Sequence, residues 1–85
     1  MIVYLIPLYG TIEDSLDRAR AEVEKALGFR GTITRVKAKG AQIQVDFKVS
    51  PQWDLPLGEK MTYLAEWLPV RVRHFKVTCR LLEKA

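Results

Sequence analysis

The side chains that most often act as catalytic nucleophiles and bases are few in this sequence of 85 residues. His74 is its only histidine and Cys79 its only cysteine. The two lie an odd number of positions apart in a predicted strand, so their side chains point to opposite faces and a Cys–His pair is not expected. Ser15 and Ser50 have no histidine near them in sequence. We predict that the protein is not an enzyme.

Metal, redox and phosphate-loop chemistry also lack the residues they need. A single cysteine forms neither an internal disulfide nor a Cys-based zinc site. The single Gly10 after the first apolar segment does not make a glycine-rich phosphate loop. We therefore predict no catalytic residues, no metal and no cofactor, and no small-molecule substrate is evident.

Positive charge is concentrated in two segments. The chain has a net charge of +4, from 14 basic and 10 acidic residues. Residues 32–50 carry four basic residues and one acidic residue, and residues 70–85 carry five and one. If these segments share one surface, that surface would attract the phosphates of nucleic acid.

The first half of the chain predicts a strand and a helix. In residues 2–8 both the odd and the even positions are apolar, so both faces of a strand would be apolar. This is typical of a strand in the middle of a sheet. Apolar residues at helical spacing predict a helix over 12–27, with Thr11 as its N-terminal cap and Gly28 as its C-terminal cap.

The second half predicts a hairpin, a helix and a last strand. Residues 32–39 and 42–50 are the strands of the hairpin, and a proline-punctuated loop follows over 51–58. A helix is predicted over 59–68, ended by Pro69. The last strand is predicted over 70–82, with a bulge near residues 73–74.

This element order predicts a single α+β domain over residues 1–85. With right-handed crossovers it gives a ferredoxin-like βαββαβ sandwich, whose antiparallel sheet has the order 4-1-3-2 and carries both helices on one face. The other face of the sheet is then open. Seven basic or histidine side chains would lie there: Arg35, Lys37, Lys39, Lys48, His74, Lys76 and Arg80.

Part of the sequence resembles the RNA recognition motif family. Residues 3–8, Val-Tyr-Leu-Ile-Pro-Leu, resemble its first-strand motif with Pro7 in place of Asn, and residues 31–36 resemble the start of its second strand. The resemblance implies that Tyr4 stacks on a base. Gln42 and Gln44 stand where that family has two stacking aromatic residues, and glutamine can instead hydrogen-bond to base edges.

The leading hypothesis is a binding module that contacts nucleic acid through the open sheet face. The predicted contacts are Tyr4, Arg35, Lys37, Lys39, Gln42, Gln44, Lys76 and Arg80. Strands two and four are also the sheet edges, however, and edge strands commonly carry Lys and Arg that discourage aggregation. The basic residues could thus either contact nucleic acid or protect the sheet edges.

The alternative hypothesis is a self-associating structural or adaptor protein, as a homodimer or higher oligomer. Ile2 and Ile6 would form an apolar patch beside Tyr4 on the open face. Trp53, Tyr63 and Trp67 either cap the small core or mark a partner surface, since Trp and Tyr are enriched at interfaces.

The N-terminal apolar stretch is too short for a membrane span and lacks the basic start of a signal peptide. We predict a cytoplasmic protein without membrane contact. The absence of Asn and the dense charge are consistent with a thermophilic source.

Overall fold

A computed structural model describes residues 1–80, except for the side chains of Cys79 and Arg80; residues 81–82 of the predicted last strand lie outside the described part. Neither of the two helices described is long and apolar enough to cross a membrane. The elements in chain order are β1 (Ile2–Pro7), α1 (Ile12–Leu27), a short 3₁₀ turn (Gly28–Arg30), β2 (Gly31–Lys39), β3 (Gln42–Val49), α2 (Leu57–Arg71) and β4 (Phe75–Arg80).

The four strands form one antiparallel sheet in the order β2-β3-β1-β4. This confirms the predicted α+β class and the predicted order 4-1-3-2, which is the same order counted from the other edge. β1 lies between β3 and β4 because both of its faces are apolar. Its residues Val3 and Leu5 are fully buried on one face, while Ile2 and Ile6 are half-buried on the other.

Both helices pack on the same face of the sheet, since their apolar residues join a single core with those of the strands. The fully buried members of that core from the sheet are Val3, Leu5, Ile43, Val45 and Phe47, and those from the helices are Ala19, Val23, Leu27, Leu64 and Leu68. The opposite face of the sheet is the open face.

Helix α1 begins and ends as its sequence predicts. The Thr11 hydroxyl accepts a hydrogen bond from the backbone N–H of Asp14 at 3.2 Å. At the other end Gly28 adopts a positive φ of 56°, which a residue without a Cβ reaches at little cost, and its N–H donates to the Glu24 carbonyl.

Helix α2 is longer than predicted, and the prediction that Pro69 ends it is wrong. Pro69 lies in the last turn, where its missing N–H removes only one hydrogen bond of the helix. The helix continues past Pro69, and the Val72 N–H donates to the Leu68 carbonyl at 2.9 Å. Val70 and Arg71 are therefore helical, and the last strand begins at Phe75 instead of residue 70.

The predicted bulge at residues 73–74 is also wrong. His74 instead has a φ of 67°, a left-handed conformation that turns the chain from α2 into β4. The irregularity of the sheet lies in β2, where the register shifts between Ile33 and Arg35. This shift lets Ile33 and Val36 both face the core side, opposite Phe47 and Val45.

Gly31 begins β2 at a close approach to β3. A Cβ at this position would lie 2.8 Å from the Lys48 carbonyl oxygen, which is shorter than real contacts allow. We predict that Gly31→Ala lowers the free energy of unfolding by about 1–3 kcal/mol, because the two strands must move apart. Urea denaturation measures this.

The matched control is Gly58→Ala in α2, where a Cβ would have no atom within 4 Å. That variant should be neutral or more stable by up to about 1 kcal/mol, since alanine favours a helix over glycine. Equal stability of the two variants would contradict the role given to Gly31.

Candidate functional site

The open face is ordered by the strand register into rows of side chains that cross the sheet. Tyr4 of β1 is aligned with Gln44 of β3 and Thr78 of β4, and Gln44 is aligned with Lys37 of β2. Aligned residues of antiparallel strands point to the same face. Tyr4 therefore lies in the middle of the row, with Lys37 at one edge.

The neighbouring rows carry most of the other residues predicted from the sequence. On one side Arg35, Asp46, Ile2 and Arg80 are aligned. On the other side Lys39 is aligned with Gln42, and Ile6 with Lys76. Of Arg80, only this backbone position is described.

The side chain of Lys39 lies near the Tyr4 ring. The Lys39 ammonium lies 5.9 Å from the centre of the Tyr4 ring, although the two residues are two strands apart. This is at the outer limit of a cation–π interaction. Lys39 therefore leans over the face of the sheet toward its centre.

The two glutamines differ in availability. Gln44 is only 7% exposed, and its amide nitrogen donates to a carboxylate oxygen of Asp46 at 2.8 Å. Gln42 is partly exposed. Gln42 is therefore the glutamine that can reach a ligand, and Asp46 is a carboxylate within the otherwise basic face.

His74 does not lie on the open face as predicted. Because the chain turns at this residue, its Nδ1 lies 3.3 Å from a carboxylate oxygen of Glu22 on α1. The other carboxylate oxygen of Glu22 accepts the backbone N–H of Arg73 at 2.7 Å. Residues 71–74 thus belong to the helix side of the molecule.

The rings of Trp53, Tyr63 and Trp67 meet in one cluster. Tyr63 contacts Trp53 edge to face at 5.2 Å and stacks on Trp67 at 5.4 Å. The Trp67 indole N–H donates to the Ala26 carbonyl at 2.8 Å. Trp53 is 8% exposed and belongs to the core, so this ring is not available to a partner.

Arg30 is the residue of this cluster that sequence reasoning missed. Its guanidinium carbon lies 4.8 Å from the ring centre of Phe29, 5.1 Å from that of Tyr63 and 5.0 Å from that of Trp67. Its Nε is buried and has no hydrogen-bond partner among the described residues. The aromatic rings therefore contribute to stabilising the charge of Arg30.

No set of three or more His, Cys, Asp and Glu side chains is placed to hold a metal ion in the described part of the chain. In comparisons with protein-family models, curated proteins and solved structures, the chain matches none of them. The geometry of its own residues therefore carries the functional argument.

Arg30→Lys tests the aromatic cluster, since lysine keeps the charge but loses the flat guanidinium that lies against the rings. We expect the free energy of unfolding to fall by about 1–2 kcal/mol, as measured by urea denaturation. Arg20→Lys, at an exposed position of α1, is the matched control and should change it by less than about 0.5 kcal/mol. A loss of the same size in both variants would show that the rings do not bind the guanidinium.

Proposed function

We propose that this chain is a ferredoxin-like, non-enzymatic module that contacts single-stranded nucleic acid through the open face of its sheet. The observation that carries the proposal is the position of Tyr4 in the middle of a helix-free face. Both edge strands of the sheet, β2 and β4, carry basic residues on that face. A base stacked on Tyr4 would place its phosphates within reach of those residues.

The charge of the face supports this proposal. Five basic side chains of the described residues have open-face positions, against the single carboxylate of Asp46: Arg35, Lys37, Lys39, Lys48 and Lys76. Charged side chains on edge strands, including inward-pointing ones, also discourage pairing with other chains. The approach of Lys39 to the Tyr4 ring favours a role on the face itself.

The composition of the face also defines the mode of recognition. One aromatic ring offers one stacking position, and every base has a face that can occupy it. Gln42 is the main polar side chain left to contact base edges, because Gln44 is held by Asp46. Binding is thus governed by phosphate contacts, with little dependence on base sequence.

A double charge reversal tests the proposal. We expect Lys37→Glu together with Lys76→Glu to abolish binding of a mixed-sequence single-stranded oligonucleotide, measured by fluorescence anisotropy. Wild-type affinity should fall steeply as salt rises, because phosphate contacts release counterions.

The matched control is Arg18→Glu with Arg20→Glu, which changes the net charge equally on exposed positions of α1. It should weaken binding only slightly. Equal loss in both double variants would mean that net charge alone drives binding. Affinity independent of salt, or no binding below about 100 µM, would remove the proposal.

Self-association remains the alternative, favoured by one observation: Ile2 and Ile6 are partly exposed beside Tyr4 on the same face. Pairing through this patch would give a mass in light scattering well above 9.8 kDa, and Ile2→Lys should return the chain to a monomer, since a charge on an apolar contact is costly. A wild-type chain that is monomeric at high concentration would exclude this alternative.

A further inference from the structure

The helix side of the molecule carries a second basic surface, separate from the open face. An open groove of about 880 Å³ runs between α1 and the end of α2. Its cationic lining residues are Arg18, Lys25, Arg30, Arg71 and Arg73, and His74 lies beside them. The sheet lies between this groove and Tyr4, so one compact ligand cannot occupy both surfaces.

The positive charge of the groove is poorly compensated by the protein itself. Glu22 is its only acidic lining residue, and that carboxylate already accepts from the Arg73 backbone and contacts His74. This is the only side-chain contact at salt-bridge distance among the described residues, and it is an ion pair only when His74 is protonated. The five Arg and Lys side chains thus converge without a carboxylate partner among the described residues.

Two of the arginines are held in place before any ligand arrives. The guanidinium carbons of Arg30 and Arg71 lie 5.0 Å and 4.2 Å from the centre of the Trp67 ring. Trp67 is itself fixed by its hydrogen bond to Ala26. A guanidinium held against a ring makes no hydrogen bond to it, so its N–H groups can bind a phosphate.

The aromatic ring in the groove is not free to stack on a ligand. Tyr63 stacks on the Trp67 ring at 5.4 Å, and the guanidinium carbons of Arg71 and Arg30 lie 4.2 Å and 5.0 Å from the centre of that ring. These three neighbours leave little of the ring surface to a nucleobase. The groove offers chiefly charge and hydrogen-bond donors.

We propose that this groove binds a small ligand that carries two or more adjacent phosphate groups, and that it recognises the phosphates and not an attached base or sugar. A single phosphate would leave most of the five cations unpaired, whereas an oligophosphate can contact several of them at once. The volume of the groove lies within the range of small-ligand sites.

The experiment is a calorimetric titration of the full chain with inorganic tripolyphosphate at constant ionic strength. We expect saturable binding of one ligand per chain. Orthophosphate should bind at least about tenfold more weakly, because it contacts fewer cations. A nucleoside triphosphate should bind about as well as tripolyphosphate, and the unphosphorylated nucleoside should not bind.

The test variant is Arg18→Gln with Arg73→Gln, which removes two exposed cations of the groove and spares the Arg30 cluster. It should weaken tripolyphosphate binding by about tenfold or more. The matched control is Arg20→Gln with Lys48→Gln, which removes two exposed cations outside the groove. Thermal unfolding checks that both variants remain folded.

Three results would overturn the proposal: no saturable binding of tripolyphosphate up to about 1 mM, equal affinity for orthophosphate, or equal loss in the control variant. The two surfaces can also be tested separately. The Lys37→Glu/Lys76→Glu variant should keep tripolyphosphate binding, and the Arg18→Gln/Arg73→Gln variant should keep oligonucleotide binding.

Discussion

The contact of the Arg30 guanidinium with the rings of Tyr63 and Trp67 joins the segment after α1 to α2, beside the shared apolar core. Arg30 ends the 3₁₀ turn that follows α1, and both rings belong to α2. A cation partly withdrawn from water needs compensation, which the aromatic faces supply. The hydrogen bond from Trp67 to Ala26 connects the same two helices. Ala26, Arg30 and Trp67, which make these contacts, also line the groove on the helix side.

The length of α2 decides which surface receives the C-terminal arginines. If the helix ended before Pro69, Arg71 would lie in an extended segment and would not follow Trp67 by one helical turn. Because the helix continues to Arg71, that guanidinium stacks on Trp67 and Arg73 follows on the helix side. The last strand predicted over residues 70–82 would have included both residues. The positive charge of the chain is in fact divided between two opposite surfaces.

The predictable parts of the molecule are those with a periodic or local signal. Helix α1, its caps at Thr11 and Gly28, and the central position of β1 could all be predicted, since apolar spacing and capping residues act locally. The alternation of β3 likewise placed Gln42 and Gln44 on the open face. The Arg30 cluster could not be predicted, because it joins residues from three separate segments and a cation–π contact leaves no period in the sequence. The left-handed conformation of His74 was not predicted. The apolar residues change from even to odd positions near residues 73–74, and a bulge within a strand would produce the same pattern.

The helix ends explain how so many cations can converge in the groove when no anion is bound. Lys25 lies in the last turn of α1 and Arg71 in the last turn of α2. The last turn of a helix carries unpaired carbonyl groups and a partial negative charge, which favour a nearby cation by about 0.3–1 kcal/mol each. Each helix therefore offsets part of the repulsion at its own end.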